Sequence, residues 1–278
     1  MLSKLLWKFF ILQFFYFYKM ILRQTSDLTK KPCCIISLVP SQTELLHYLQ
    51  LDDETIAITK FCIHPAEWFR NKIRIGGTKN LDIKKITELK PDLIIANKEE
   101  NNKEQVQALA KEFNVWVTDV NNFNDALVMI NDIGQLTDSM EKTATLISVI
   151  KQQFALLPIR PKLKNAAYLI WKDPYMTTGG DTFISSMMEI AGFKNIFANT
   201  KRYPQITILE LQHSKCDLIF LSSEPYPFSQ KHIDELQRYL PAVKIILADG
   251  EIFSWYGSRM LLAPAYFLKL ASATSFLL

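Results

Sequence analysis

The segment Ile86-Thr87-Glu88-Leu89-Lys90-Pro91-Asp92-Leu93-Ile94-Ile95 has a counterpart in Ile208-Leu209-Glu210-Leu211, followed by Cys216-Asp217-Leu218-Ile219-Phe220. Each reads as a short helix, an aspartate, and a continuous apolar run of the kind found in strands buried on both faces. The downstream residues correspond as well. Glu99 and Glu100 come after the first run and Glu224 after the second. Helices are predicted near residues 103–112 and 231–239, and closing strands at 116–120 and 244–248. Gly76-Gly77-Thr78 is echoed by Gly179-Gly180-Asp181. One such match is chance; an ordered series is an internal repeat.

Working outward, residues 33–39 form an apolar run ending in Pro40-Ser41. Ser41 with Glu44 three residues on makes a capping box and predicts a helix over 43–49. Strands are predicted at 55–59, 93–96, 115–120 and 166–171, with a helix over 104–113 between them. Buried strands alternating with helices indicate βαβ units on parallel sheets. From Asn124 to Leu157 the apolar positions recur at helical spacing (Leu127, Ile130, Ile133, then Leu146, Val149, Ile150, Phe154). Thr137-Asp138 interrupts this run, and Pro158 and Pro161 stop it. The expected organisation is α/β: residues 20–137 and 158–278 as two similar lobes, joined by one long helix over 138–157, with 1–19 outside the fold.

Composition narrows the classes. At 278 residues and 49% hydrophobic, the chain can bury one large or two medium cores. A net charge of +4 without a long basic block gives nucleic acid no clustered surface to neutralise. Cys33, Cys34, Cys62 and Cys216 have neither CxxC spacing nor a disulfide pattern. Residues 5–18, LLWKFFILQFFYFY with Lys4, Lys8 and Lys19 around them, resemble a secretory apolar region. No small-residue cleavage site comes after it, so three readings stand: an uncleaved anchor, a poor signal peptide, or a true start at Met20. The first two imply a periplasmic or membrane-associated protein, the last a cytoplasmic one.

Ile35-Ile36-Ser37-Leu38-Val39-Pro40-Ser41-Gln42-Thr43-Glu44 resembles the opening strand and helix of class III substrate-binding proteins of ABC importers, the helical-backbone metal receptors. Lys90-Pro91-Asp92-Leu93-Ile94-Ile95, the linker helix and Ser258-Arg259 continue the likeness over about residues 33–272. The resemblance implies two Rossmann-like lobes with parallel sheets, a ligand in the cleft between them, and an ABC permease as partner. It implies no prosthetic group and no catalysis. The ligand would be cobalamin or another corrinoid first, then haem or a ferric siderophore, bound by a monomer.

Ligands of α/β lobes sit beyond the carboxyl ends of the strands. Candidate binding residues are therefore Ser41 at the first helix, Lys60, Phe61 and His64 after the second strand, and Asn97 after the third. In the second half they are Trp171 and Tyr175, then Phe253, Trp255 and Arg259. Aromatic rings suit a large flat ligand, and Lys60 and Arg259 suit an anionic group on it. By the resemblance, Phe61 and Trp171 occupy aromatic contact positions, whereas Thr78, Asn97 and Ile252 replace aromatics. Cys62-x-His64 suggests a soft-metal pair, but His47, His213 and His232 add no convergent set. The enzyme alternative is a tetrapyrrole chelatase with His64 facing Glu224 or Asp249. Family members dock through an acidic residue on each lobe; here Lys84 occupies the first position, with Asp82 nearby and Glu235 as the second.

Overall fold

Asp92 shows how the first half of the chain is assembled. In the computed structural model, which describes residues 21–159 and 163–274, its Oδ2 accepts the backbone N–H groups of Cys33 at 2.8 Å and Cys34 at 3.0 Å. Those cysteines lead into β1 (Ile35–Ser37), and Asp92 leads into β4 (Leu93–Asn97). The carboxylate fastens the two strands at their start, and Ile35, Ile36 and Ser37 pair in parallel with Leu93, Ile94 and Ile95. Asp217 repeats the device. Its Oδ2 accepts the N–H of Asn165 at 3.0 Å, joining β6 (Lys164–Trp171) to β9 (Leu218–Ser222). Hydrogen bonds to a carboxylate are among the stronger ones.

Around β1 and β4 lie β2 (Thr55–Ile58), β3 (Ile73–Arg74) and β5 (Val115–Thr118), in the order β3-β2-β1-β4-β5 and parallel throughout. Every residue of β1 and β4 is buried, as a sheet covered on both faces requires. The crossover helices are α1 (Pro40–Tyr48), α2 (Ala66–Asn71), α3 (Ile83–Leu89) and α4 (Lys103–Leu109). Ile36, Leu38, Ile75, Ile86, Ile94 and Leu109 form the core beneath them. The helix predicted to be capped by Ser41 starts earlier. Val39 is its N-cap, and Pro40 takes the first turn, where a fixed φ and a missing N–H carry no penalty. Leu22 donates its N–H to Val115 O at 3.0 Å and is buried, so the chain joins this sheet from there on.

The second sheet runs β10 (Lys244–Ala248), β9, β6, β7 (Met176–Thr177), with β8 (Phe193–Asn195) also on β6. Its pairings are parallel except β6 with β7, which is antiparallel. The link over residues 172–175 is a turn, too short for the crossover that a parallel neighbour needs. Helices α7 (Phe183–Ile190), α8 (Ile208–His213), α9 (Gln230–Tyr239), α10 (Gly250–Ser254) and α11 (Ala263–Thr274) complete this half, with Leu169, Leu211, Ile219, Leu221 and Leu236 in its core. Ser258-Arg259 opens a 3₁₀ turn before α11 rather than that helix itself.

The helical stretch is divided at Thr137-Asp138 into α5 (Phe123–Leu136) and α6 (Met140–Ala155), with Asp138 at φ +54°. Two compact units result. One runs to Asp119 and includes Met129–Leu146; the other contains Val120–Val128 and continues from Ile147. The divisions fall inside α5 and α6 rather than at residues 137 and 157, because both helices bury apolar side chains along their length (Ala126, Ile130, Ile133 and Leu136; Leu146 and Ile150). The segment 1–19 lies outside the described residues. Among the described residues, no helix is long and apolar enough to cross a membrane.

Replacing either aspartate should loosen its sheet. Asp92→Ala and Asp217→Ala are each expected to lower unfolding free energy by about 1 kcal/mol, measured by urea denaturation. Unchanged midpoints in both variants would show that the carboxylates do not fasten the strands.

Candidate functional site

The order of an open parallel sheet reverses at one point, and ligands bind beyond the carboxyl ends of the strands there. In the first unit this point lies between β1 and β4. Ser41 sits there in the first turn of α1, buried. Asn97 ends β4 with its amide fully engaged. Its Nδ2 donates to Thr118 O and Oγ1, both at 3.1 Å, and its Oδ1 accepts the N–H groups of Glu99 and Glu100 at 2.8 and 3.1 Å. Asn101 braces the same loop, accepting the N–H of Asn97 at 2.8 Å and donating to Leu38 O and Thr78 O. Asn97 therefore builds the rim and leaves no amide for a ligand, contrary to its place among the binding candidates. Thr78 is likewise buried.

Phe61 follows β2 and stays 50% exposed. The loop against it explains the glycine pair. Gly76 has φ +91°, and a Cβ there would stand 2.5 Å from Asn80 O. At Gly77 a Cβ would meet Phe61 Cε2 at 3.1 Å and Lys60 Cε at 3.2 Å, so a larger residue would press the ring and the lysine stem aside by a few tenths of an ångström. The exposed Lys60 holds its ammonium 5.2 Å from the Phe61 ring centre. His64 lies half-buried in the same loop. Cys62 turns the other way: its thiol is fully buried, 3.1 Å from Thr43 Oγ1 and 3.2 Å from Thr59 Oγ1. Burial pushes its pKa up, and it cannot join His64 as a metal ligand on the surface. Among the described residues no group of three metal-binding side chains converges.

In the second unit Trp171 ends β6, 40% exposed. Tyr226, in the loop after β9, meets it edge-on at 5.6 Å, and Phe228 and His232 pack behind Tyr226. Tyr175 is half-buried nearby, its pKa pushed up to about 12 by burial, with Glu235 adding and Lys172 opposing. Lys172 pairs with Glu235, which lowers the carboxylate's pKa and raises that of the ammonium.

Three candidates from the C-terminal stretch belong to the interior instead. Phe253 is fully buried against Tyr168, Phe220, Tyr266 and Phe267. Trp255 is buried, and its Nε1 donates to Glu224 Oε1 at 2.8 Å, beside the Ser254 hydroxyl at 2.9 Å. Arg259 stacks 4.7 Å from the Trp255 ring centre and bonds Glu251 Oε2 at 2.6 Å. Its charge is thus balanced within the protein. Ile252 is buried as well. The chelatase carboxylates are structural: Glu224 holds Trp255, and Asp249 caps α10 through the N–H of Ile252. Sequence reasoning missed Tyr226, His232 and Gly77. Tyr226 was within reach, since Glu224-Pro225-Tyr226-Pro227-Phe228 places aromatics directly after a predicted strand.

Of the docking candidates, Asp82 caps α3 by accepting the N–H of Lys85 at 3.1 Å. Lys84 is exposed, 4.0 Å from Glu88, and Glu235 is held by Lys172.

Two α/β units carrying exposed aromatics at strand ends, with their nearby acidic groups committed to structure, define a binding protein. The chain belongs to the periplasmic binding protein family, whose model matches residues 35–245. It is a substrate-binding protein and not an enzyme, which sets the chelatase reading aside. It is 26% identical over 245 residues to the vitamin B12-binding protein of Photorhabdus laumondii, covering 84% of this chain and 85% of that protein. It is 28% identical over 196 residues to YvrC of Bacillus subtilis, an uncharacterized ABC transporter substrate-binding lipoprotein, covering 66% of this chain and 62% of the relative. The periplasmic heme-binding protein RhuT from Roseiflexus sp. RS-1, in apo form, shares the fold with a TM-score of 0.73. It is 17% identical, covering 87% of this chain and 99% of that one.

The Arg259–Glu251 pair offers a test of its structural role. Glu251→Ala removes the carboxylate that balances a largely buried guanidinium and should cost about 3 kcal/mol of stability, most of it recovered in Glu251→Ala/Arg259→Met. Equal losses in the single and double variants, by thermal or chemical unfolding, would contradict that role.

Proposed function

We propose that the protein binds a corrinoid, cobalamin first, through Phe61 and Trp171, and delivers it to an ABC permease as a monomer. The observation that carries this reading is the exposure of these two rings, 50% and 40%, just beyond or at the end of a parallel strand. Of the two cations suited to an anionic ligand group, Lys60 remains exposed while Arg259 is neutralised by Glu251. A large ligand rich in neutral amides fits such surfaces better than haem with its propionates. The apolar segment at residues 5–18 is in keeping with export or tethering beside a permease.

Cyanocobalamin should quench tryptophan fluorescence, and Phe61→Ala and Trp171→Ala should each weaken binding by about 1–3 kcal/mol. Unchanged affinity in both variants would remove the aromatic contacts. Tighter binding of haem than of cyanocobalamin would overturn the choice of ligand.

Docking on the permease is proposed to be weak or altered, because Lys84 opposes the arginines that the family's permeases present. On the reconstituted, genetically linked permease, Lys84→Glu should strengthen docking. Asp82→Ser, which keeps a capping oxygen while removing the charge, tests the neighbour. Tight docking that is lost in Asp82→Ser and indifferent to Lys84→Glu would refute the role given to Lys84.

A further inference from the structure

His232 lies at the start of α9 with 4% of its surface exposed. Its Nδ1 accepts the backbone N–H of Ser229 at 2.9 Å, and Ser229 Oγ lies 3.2 Å away. Its Nε2 lies 3.3 Å from Tyr226 Oη. An imidazole nitrogen that accepts from a backbone N–H carries no proton, so the proton sits on Nε2 and points at Tyr226. Both ends of one neutral ring therefore hold the 226–229 turn: one through its backbone, the other through the tyrosine. Tyr226 and Phe228 lie 4.7 Å apart with their rings tilted, each meets the imidazole edge-on at 5.4 Å, and Tyr226 in turn abuts Trp171.

We propose that His232 is a positioning residue for ligand binding, a latch that holds Tyr226 against Trp171 only while its imidazole is neutral. The inference rests on the reading of Trp171 as a ligand contact. A second proton would go to Nδ1, directly against the Ser229 N–H. The Ser229 hydroxyl can turn to accept it, but the Ser229 N–H then loses its partner, and an unpaired donor at a half-buried site is unfavourable. The turn gives way, and Trp171 loses the ring that steadies it. The charged and titratable groups around the imidazole are Lys231 on α9, Lys172 after β6, Glu235 on α9 and Tyr226 itself. Burial lowers the pKa of His232 from 6.5, Lys231 and Lys172 lower it further, and Glu235 opposes them. The folded state thus favours the neutral ring. Its contribution is present above pH 6.5 and is lost as the pH falls from there through the lower folded pKa.

The decisive variant is His232→Asn, whose Oδ1 can take the place of Nδ1 as acceptor for Ser229 but does not titrate. In the ligand-free protein, the indole N–H resonance of Trp171, assigned by its loss in Trp171→Phe, should shift as the pH falls below about 6.5, and should stay fixed in His232→Asn. A resonance that does not titrate in the parent protein, or that titrates equally in the variant, overturns the latch. In the same range the affinity of the parent protein for cyanocobalamin should fall roughly three- to tenfold, while that of His232→Asn stays flat. Parallel pH profiles in the two proteins would overturn the link to binding. A parent protein that binds no cyanocobalamin at neutral pH counts against the corrinoid reading alone, since the indole titration judges the latch without ligand.

Discussion

Parallel strands that pair across a sheet are far apart in sequence, so no local turn sets their register. A slip of one residue would send every side chain to the opposite face. Here a single carboxylate in each half resolves that problem. Asp92 takes two backbone N–H groups just before β1, and Asp217 takes one at the start of β6. Both act at the amino ends of their strands, and the consequences emerge at the carboxyl ends. Once β1 is set against β4, Leu38 O just past β1 falls within reach of the Asn101 amide, and the loop after β4 is braced from there. Once β6 is set against β9, Trp171 and Tyr226 come to the same edge.

The polar chemistry at those edges is largely directed inward. Asn97 and Asn101 satisfy loop backbone, Glu224 satisfies an indole, Glu251 an arginine and Glu235 a lysine. Several groups that look ligand-ready in a sequence are thereby absorbed into the scaffold, while the Phe61 and Trp171 rings and Lys60 remain exposed. Recognition built this way relies on contact area and shape more than on charge pairing.

The repeat and its strands were legible because strands buried on both faces appear as unbroken apolar runs, and β4 and β9 are such runs. The start of α1 was misread because Ser41 and Glu44 have capping-box spacing, whereas Pro40 already satisfies the first turn. The antiparallel β7 was missed because two residues carry no periodicity. Phe61 and Trp171 could be placed at strand ends since each lies directly beyond or at the end of a legible strand. Phe253, Trp255 and Arg259 could not be judged. Their partners (Tyr168 and Phe220, Glu224, Glu251) come from other strands and turns, so nothing beside them in the chain marks them as interior. His232 could not be singled out for the same reason: its first-turn position matters only once Ser229 and Tyr226 fold back onto it.

Gly77 carries a consequence for how a ligand is met. With no side chain beneath it, the Phe61 ring rests directly on backbone, and the Lys60 stem flanks the same glycine. A ring seated before any ligand arrives gives up little rotational freedom on contact. The same empty position that seats the aromatic on the loop leaves half of it exposed, a surface set by the backbone beneath it rather than by a neighbouring side chain.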